Sequence, residues 1–261
     1  FKHFMLKRLL RIEPPYLAAI FFVLAVNYLG TLSAYYRGED FNINYFNLLL
    51  HLGYLNGFFG HGWLNPVFWT LAIEFQFYLL MGLLFPMLHR TKKYVQISIL
   101  VLLLVSAYFI KSAGFIFHFL PYFILGIILY FRKSKQWSTK LSTFAELSLI
   151  VIIWFTFSRV EFYATTFTWL ILLLVQNRKK DLFTWMGKIS YSFYLIHVPI
   201  GGKIINFSIN FFESIEARIA VIIVALFTSI LVSYVFYRLI ELPALHLSHS
   251  FLNKRKSSVD G

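Results

Sequence analysis

Between positions 68 and 85 the chain reads FWTLAIEFQFYLLMGLLF, a run in which Glu74 is the one charged side chain. A run of this length crosses a bilayer as an α-helix. In hydrocarbon only a helix or a closed barrel satisfies every backbone polar group. A carboxylate inside such a run costs about 2.5–3.5 kcal/mol on insertion scales unless it is protonated, paired or facing a wet cavity.

The rest of the sequence repeats the pattern. Apolar runs at 15–36, 66–88, 94–110, 115–131, 144–158, 161–177, 185–205 and 217–240 predict eight spanning helices. The segment FNINYFNLLLHLGYLNGFF (41–59), apolar but dotted with Asn, is expected to be an interfacial or re-entrant piece between the first two spans. With 59% hydrophobic and 13% charged residues, a soluble core of 261 residues does not hide this much apolar surface. The predicted fold class is therefore all-α, a polytopic transmembrane helical bundle. It forms one membrane domain over 1–261, ending in an interfacial helix and a cytoplasmic tail (244–261).

The charges orient it. With the N-terminus inside, all of the 24 Lys and Arg except Arg37, Lys111, Arg159, Lys203 and Arg218 fall on the cytoplasmic side. This positive-inside bias predicts eight spans with both termini cytoplasmic. It accounts for the net charge of +13 without nucleic acid as a partner. The expected location is the inner (plasma) membrane, multi-pass, with membrane lipid as the surrounding partner. There is no cysteine, which removes disulfides, thiolate metal sites and thiol nucleophiles. The His residues are scattered without ligand spacing, so no metal is expected.

Glu74 is expected about 12 Å below the outer end of its span, at 1.5 Å per residue. His197, in GKISYSFYLIHVPIGG, comes out at the same depth. A His and a carboxylate at one depth suit a general base and its orienting acid. KRLLRIEPPY (7–16) puts Arg8 and Arg11 on one helix face, with Lys7 beside them. Paired guanidiniums suit bidentate phosphate recognition, and anchoring to anionic lipid head groups is the alternative. Near the C-terminus YRLIELP (237–243) places Glu241 within a turn of Arg238, where an i, i+3 ion pair is expected.

Four stretches together resemble the acyltransferase-3 family of integral-membrane acyltransferases, which includes modifiers of O-antigen, exopolysaccharide and peptidoglycan sugars. They are KRLLRIEPPY, WTLAIEFQFYL, SYSFYLIHVP and YRLIELP, in family order and covering 7–243. The resemblance implies that Arg8 and Arg11, with Lys7, hold the phosphates of acyl-CoA (acetyl-CoA), the donor. It implies that Glu74 is the essential intramembrane carboxylate, supported by Trp69 and Tyr78 of the same motif. His197, Tyr191 and Ser192 fall in the third motif and Glu241 in the fourth. It also implies two earlier spans, with an Arg and a His that have no counterpart here, so the chain is expected to be a fragment or a degenerate member.

The expected activity is transfer of an acetyl or other acyl group from cytoplasmic acyl-CoA to a hydroxyl of a cell-surface or lipid-linked carbohydrate. A homo-oligomer or a separate envelope protein would complete the partners. Two other readings stand beside it. One is a transporter using the intramembrane Glu and His as a proton relay, for which a cytoplasmic Arg pair has no use. The other is a catalytically inactive scaffold.

Overall fold

A computed structural model describes residues 1–33, 41–112, 114–174 and 182–257, and every regular element among them is helical. In chain order they are α1 (Lys2–Thr31), α2 (Tyr45–Leu52), α3 (Asn56–Phe59), α4 (Phe68–Arg90), α5 (Lys93–Phe109), α6 (Ile116–Lys133), α7 (Thr139–Thr156), α8 (Arg159–Leu174), α9 (Leu182–Ser208) and α10 (Ile215–Phe236). A π-helical turn (Tyr237–Glu241) then leads directly into α11 (Leu242–Ser257). Each of the eight expected spans falls on one of these helices. Five are long and apolar enough to cross a membrane: α1, α4, α6, α7 and the α10–α11 rod. The ends of the expected 15–36 and 161–177 spans, and Arg37, Arg178, Lys179, Lys180 and the last residues of the expected tail, lie outside the described residues.

The helices group into two compact units, Phe1–Tyr78 with Lys180–Gly261, and Leu79–Lys179. In the first, the core gathers Tyr16, Ala19, Ile20 and Val23 of α1, Phe68, Leu71 and Ala72 of α4, and Leu195 and Ile196 of α9. Tyr54, from the loop between α2 and α3, joins them at 3% exposure. The Asn-dotted segment is thus built into the core. His51, Asn56 and Asn65 are fully buried, and a polar knot ties them in, with Asn56 Oδ1 left without a partner among the described residues. The Leu64 N–H donates to His51 Nε2 (3.0 Å), so His51 Nδ1–H donates to the Asn47 carbonyl (2.8 Å). The His51 carbonyl accepts from the Tyr16 hydroxyl at 3.2 Å. Burial pushes the His51 ring below its ordinary pKa, outweighing the hydrogen bond to Asn47.

Pro199 sits inside α9. It has no N–H for the carbonyl four residues back, that of Leu195, and a carbonyl left bare inside a membrane protein is costly. Asn65 supplies the missing donor, its Nδ2 lying 3.0 Å from the Leu195 oxygen. Against α10, α9 packs closely enough that a Cβ on Gly201 would come within 3.3 Å of Ser229 Oγ, the small-residue contact that lets membrane helices approach.

In the second unit α6 and α7 are joined by Arg132 Nη1 and Glu146 Oε2 at 2.6 Å. Glu146 is fully buried and Arg132 about a quarter exposed, and Trp169 of α8 also donates to Glu146 Oε2 at 3.3 Å. Gln96 of α5 bridges the Leu88 carbonyl and the Trp137 indole, at 2.6 Å each.

Candidate active site

α1 begins at Lys2, well before the expected start at 15, and carries Pro14 and Pro15 within it. The RLLR face is therefore helical and continuous with the core-facing stripe. Phe68, the first residue of α4, packs edge-on against Tyr16, halfway along α1, with ring centroids 5.0 Å apart. From that crossing α4 runs back along α1, bringing Tyr78 to Phe4 and Arg8. Glu74 accordingly lies toward the arginine end of α1.

The result is one narrow cleft, lined by Arg8, Glu13, Tyr54, Glu74 and Tyr78 among apolar neighbours. The half-buried Arg8 guanidinium lies over two rings, 4.9 Å from the Tyr78 centroid and 5.6 Å from that of Phe4. The Tyr78 hydroxyl donates to Glu74 Oε1, a pair spaced i, i+4 on one helix face. Glu74 Oε2 has no hydrogen-bond partner among the described residues. Arg11, exposed on the same helix, bears electrostatically on both Tyr78 and Glu241. Neither Arg8 nor Arg11 forms an ion pair among the described residues. The guanidiniums of Arg8 and Arg11 therefore keep their donor forks for a ligand. Two unpaired forks beside a third cation, the exposed Lys7, suit an anionic ligand.

The α9 residues have other partners. Tyr191 donates to the Ile12 carbonyl of α1 at 3.1 Å. Ser192, fully buried, donates to Glu241 Oε2 through its hydroxyl (2.5 Å) and its N–H (3.2 Å). The expected Glu241–Arg238 ion pair is not formed among the described residues. In the wider π turn, the Leu242 N–H bonds to the Tyr237 carbonyl five residues back, and Glu241 is carried inward to Ser192. His197 Nδ1 is shared between the carbonyls of Phe193 (2.9 Å) and Tyr194 (3.0 Å), and its ring stacks on Phe193. The expected Glu74–His197 pair is absent among the described residues. Tyr194 is bonded instead to Val67 and Thr70 at the head of α4. Trp69 is 40% exposed. Lys7 is exposed, and its carbonyl accepts from Ser248 of α11 at 3.1 Å.

Two site residues were not anticipated from sequence. Glu13, within RIEPPY, brings a second carboxylate to the cleft. Tyr54 brings a phenol, and its backbone is unusual. α2 closes with the Tyr54 N–H on the His51 carbonyl (3.2 Å) and the Leu55 N–H on that of Leu50 (2.9 Å), the paired bonds of a Schellman motif. The left-handed position of that motif favours glycine, yet Gly53 precedes it and Tyr54 occupies it at φ 56°. For a bulky residue this strain is of order 1–3 kcal/mol. At the end of α3 the same conformation is taken by Gly60 (φ 68°).

Residues 1–238 match the family model of an acyltransferase domain, Acyl_transf_3. No curated protein and no solved structure matches the chain. The matched stretch takes in the cleft between α1 and α4 as well as α9, and by it this membrane protein belongs to the acyltransferase-3 family.

Proposed function

We propose that the protein is an O-acyltransferase that moves an acetyl or similar acyl group from acyl-CoA to a hydroxyl of a cell-surface or lipid-linked carbohydrate. It would do so from the inner membrane, as a bundle of eight spans with both termini cytoplasmic. The observation that carries this reading is the single cleft in which a half-buried arginine and an oriented carboxylate meet across one tyrosine. Arg8, with Arg11 and Lys7, binds the donor phosphates. Tyr78 holds Glu74 Oε1, which leaves Oε2 to take the proton of the acceptor hydroxyl and return it to the departing thiolate. Tyr191, Ser192 and Glu241 keep α9 against α1 and the π turn, fixing the wall on which the cleft is built, and His197 is held within α9 itself. A permease has no use for the arginine pair, and this favours transfer over transport.

Glu74→Gln tests the reading. The amide keeps the shape and accepts from Tyr78 but cannot carry the proton. The variant should accumulate in the membrane at the wild-type level, bind CoA and transfer no acyl group. Wild-type transfer by this variant would make Glu74 structural and end the proposal.

A further inference from the structure

Tyr54 combines four features that packing alone does not explain. Its ring is clamped between Tyr16 (centroids 4.7 Å) and Phe75 (5.1 Å), both near-parallel stacks. Its backbone is held in the left-handed position that the preceding Gly53 would fill without strain. Its side chain lines the cleft with Arg8 and Glu74. And its buried hydroxyl has no hydrogen-bond partner among the described residues. The Glu13 carboxylate lies within hydrogen-bonding influence of the phenol, each shifting the other's proton affinity, but the two do not meet the geometry of a hydrogen bond.

The stack accounts for the ring, and phenylalanine would stack as well. It does not account for the oxygen. A buried donor without a partner destabilises the fold, and strained residues with unpaired polar groups concentrate where a ligand completes them. Burial also drives the phenol well above its ordinary pKa, so the group is a proton-bearing donor at any physiological pH.

The other polar groups in the cleft narrow the choice of ligand atom. Glu13 and Glu74 are acceptors, suited to hydroxyls. The Tyr78 O–H is committed to Glu74, and Arg8 is the anion site. A carbonyl oxygen can only accept, and Tyr54, whose O–H makes no full hydrogen bond to Glu13, is the neutral donor in the cleft that can turn to meet it. We propose that the Tyr54 hydroxyl is a catalytic hydrogen-bond donor to the carbonyl oxygen of the acyl group being transferred. This rests on the acyl-transfer reading above.

The acceptor oxygen loses its proton to Glu74 and adds to the acyl carbon, and the carbonyl π pair moves onto the oxygen facing Tyr54. When that pair returns, the carbon–sulfur bond breaks and the thiolate takes the proton from Glu74. The products are one ester and one free CoA thiol. Tyr54 stabilises the charge on oxygen throughout and exchanges no proton. Its rigid stack and strained turn keep the donor in place before the charge develops, the condition under which such donors act most strongly.

The experiment is Tyr54→Phe in the full chain, purified in nanodiscs beside the wild type. It measures kcat and KM for acyl transfer from acetyl-CoA, CoA affinity by calorimetry, and the thermal midpoint. The expected result is a fall in kcat of about 100- to 1,000-fold, CoA affinity within about twofold, and a thermal midpoint equal to or above the wild type. Wild-type kcat, a loss confined to KM, or a rate loss accompanied by a lower midpoint would each overturn the assignment. Inactivity of the wild-type protein itself would overturn the acyl-transfer reading and this assignment with it, whereas an active wild type with an unimpaired variant removes Tyr54 alone.

Discussion

Arg8 lies over the face of Tyr78, 4.9 Å from its centroid, while the hydroxyl of the same ring donates to Glu74. One side chain thus has two separable jobs, holding a cation by its π face and orienting a carboxylate by its edge.

Substitution at Tyr78 should divide these jobs. Tyr78→Phe keeps the ring under Arg8 and frees Glu74. CoA affinity should stay within about twofold while acyl transfer falls about 100-fold, the cost of a misplaced reacting group. Tyr78→Leu removes both contacts and should also weaken CoA binding by about 0.5–2 kcal/mol. Calorimetry and turnover on the two variants check this, and equal CoA affinities would refute the cation–π role.

The Asn65–Leu195 bond should be worth more than its single contact suggests. Asn65→Ala leaves a buried carbonyl bare and should cost about 1–3 kcal/mol of stability. In a Pro199→Ala background the restored backbone N–H serves Leu195, so the same change should cost much less. The thermal midpoints of this double-mutant cycle give the coupling directly.

Arg132→Met strands the fully buried Glu146 and should destabilise the protein by about 3–5 kcal/mol. Adding Glu146→Leu should recover most of that loss, because the buried charge leaves with its partner. Chemical unfolding in detergent reads the two steps. A double variant no better than the single would show that the pair is worth more than an apolar replacement.

His51 gives a pH dependence. Burial pulls its folded pKa below the unfolded value of about 6.5, so between the two the unfolded chain binds more protons. Its contribution is full above about pH 6.5 and is lost as pH falls through the folded value. The wild-type midpoint should therefore drop on acidification below about pH 6.5. His51→Gln, which can still accept from Leu64, should flatten that part of the curve.

How much of this was legible beforehand differs by kind of information. The helices were, because hydrophobic runs report local periodicity and length, and Arg8, Arg11 and Glu74 were marked by charges placed at or within such runs. Their meeting was not. It depends on α4 starting level with Tyr16, a tertiary contact that no property of 66–88 encodes. Asn65 looked like any loop asparagine, since its partner lies far away in α9. Glu146 stood in an expected span as plainly as Glu74 did, with Arg132 as its cation, and a count of intramembrane acids would have found it. Tyr54 was hidden more thoroughly: a glycine one residue early makes the turn look ordinary, and only the backbone shows which residue took the strained position.

The π turn has a consequence for how the C-terminal rod tolerates change. Such a turn amounts to one residue inserted into an α-helix, and each residue advances the helix by about 100°. α11 is therefore rotated out of phase with α10, and in that phase Ser248 reaches the Lys7 carbonyl while Glu241 reaches Ser192. Deleting a single residue between 237 and 241 would give a more regular helix with every later side chain facing the wrong way. Length, more than composition, is what this stretch has to preserve.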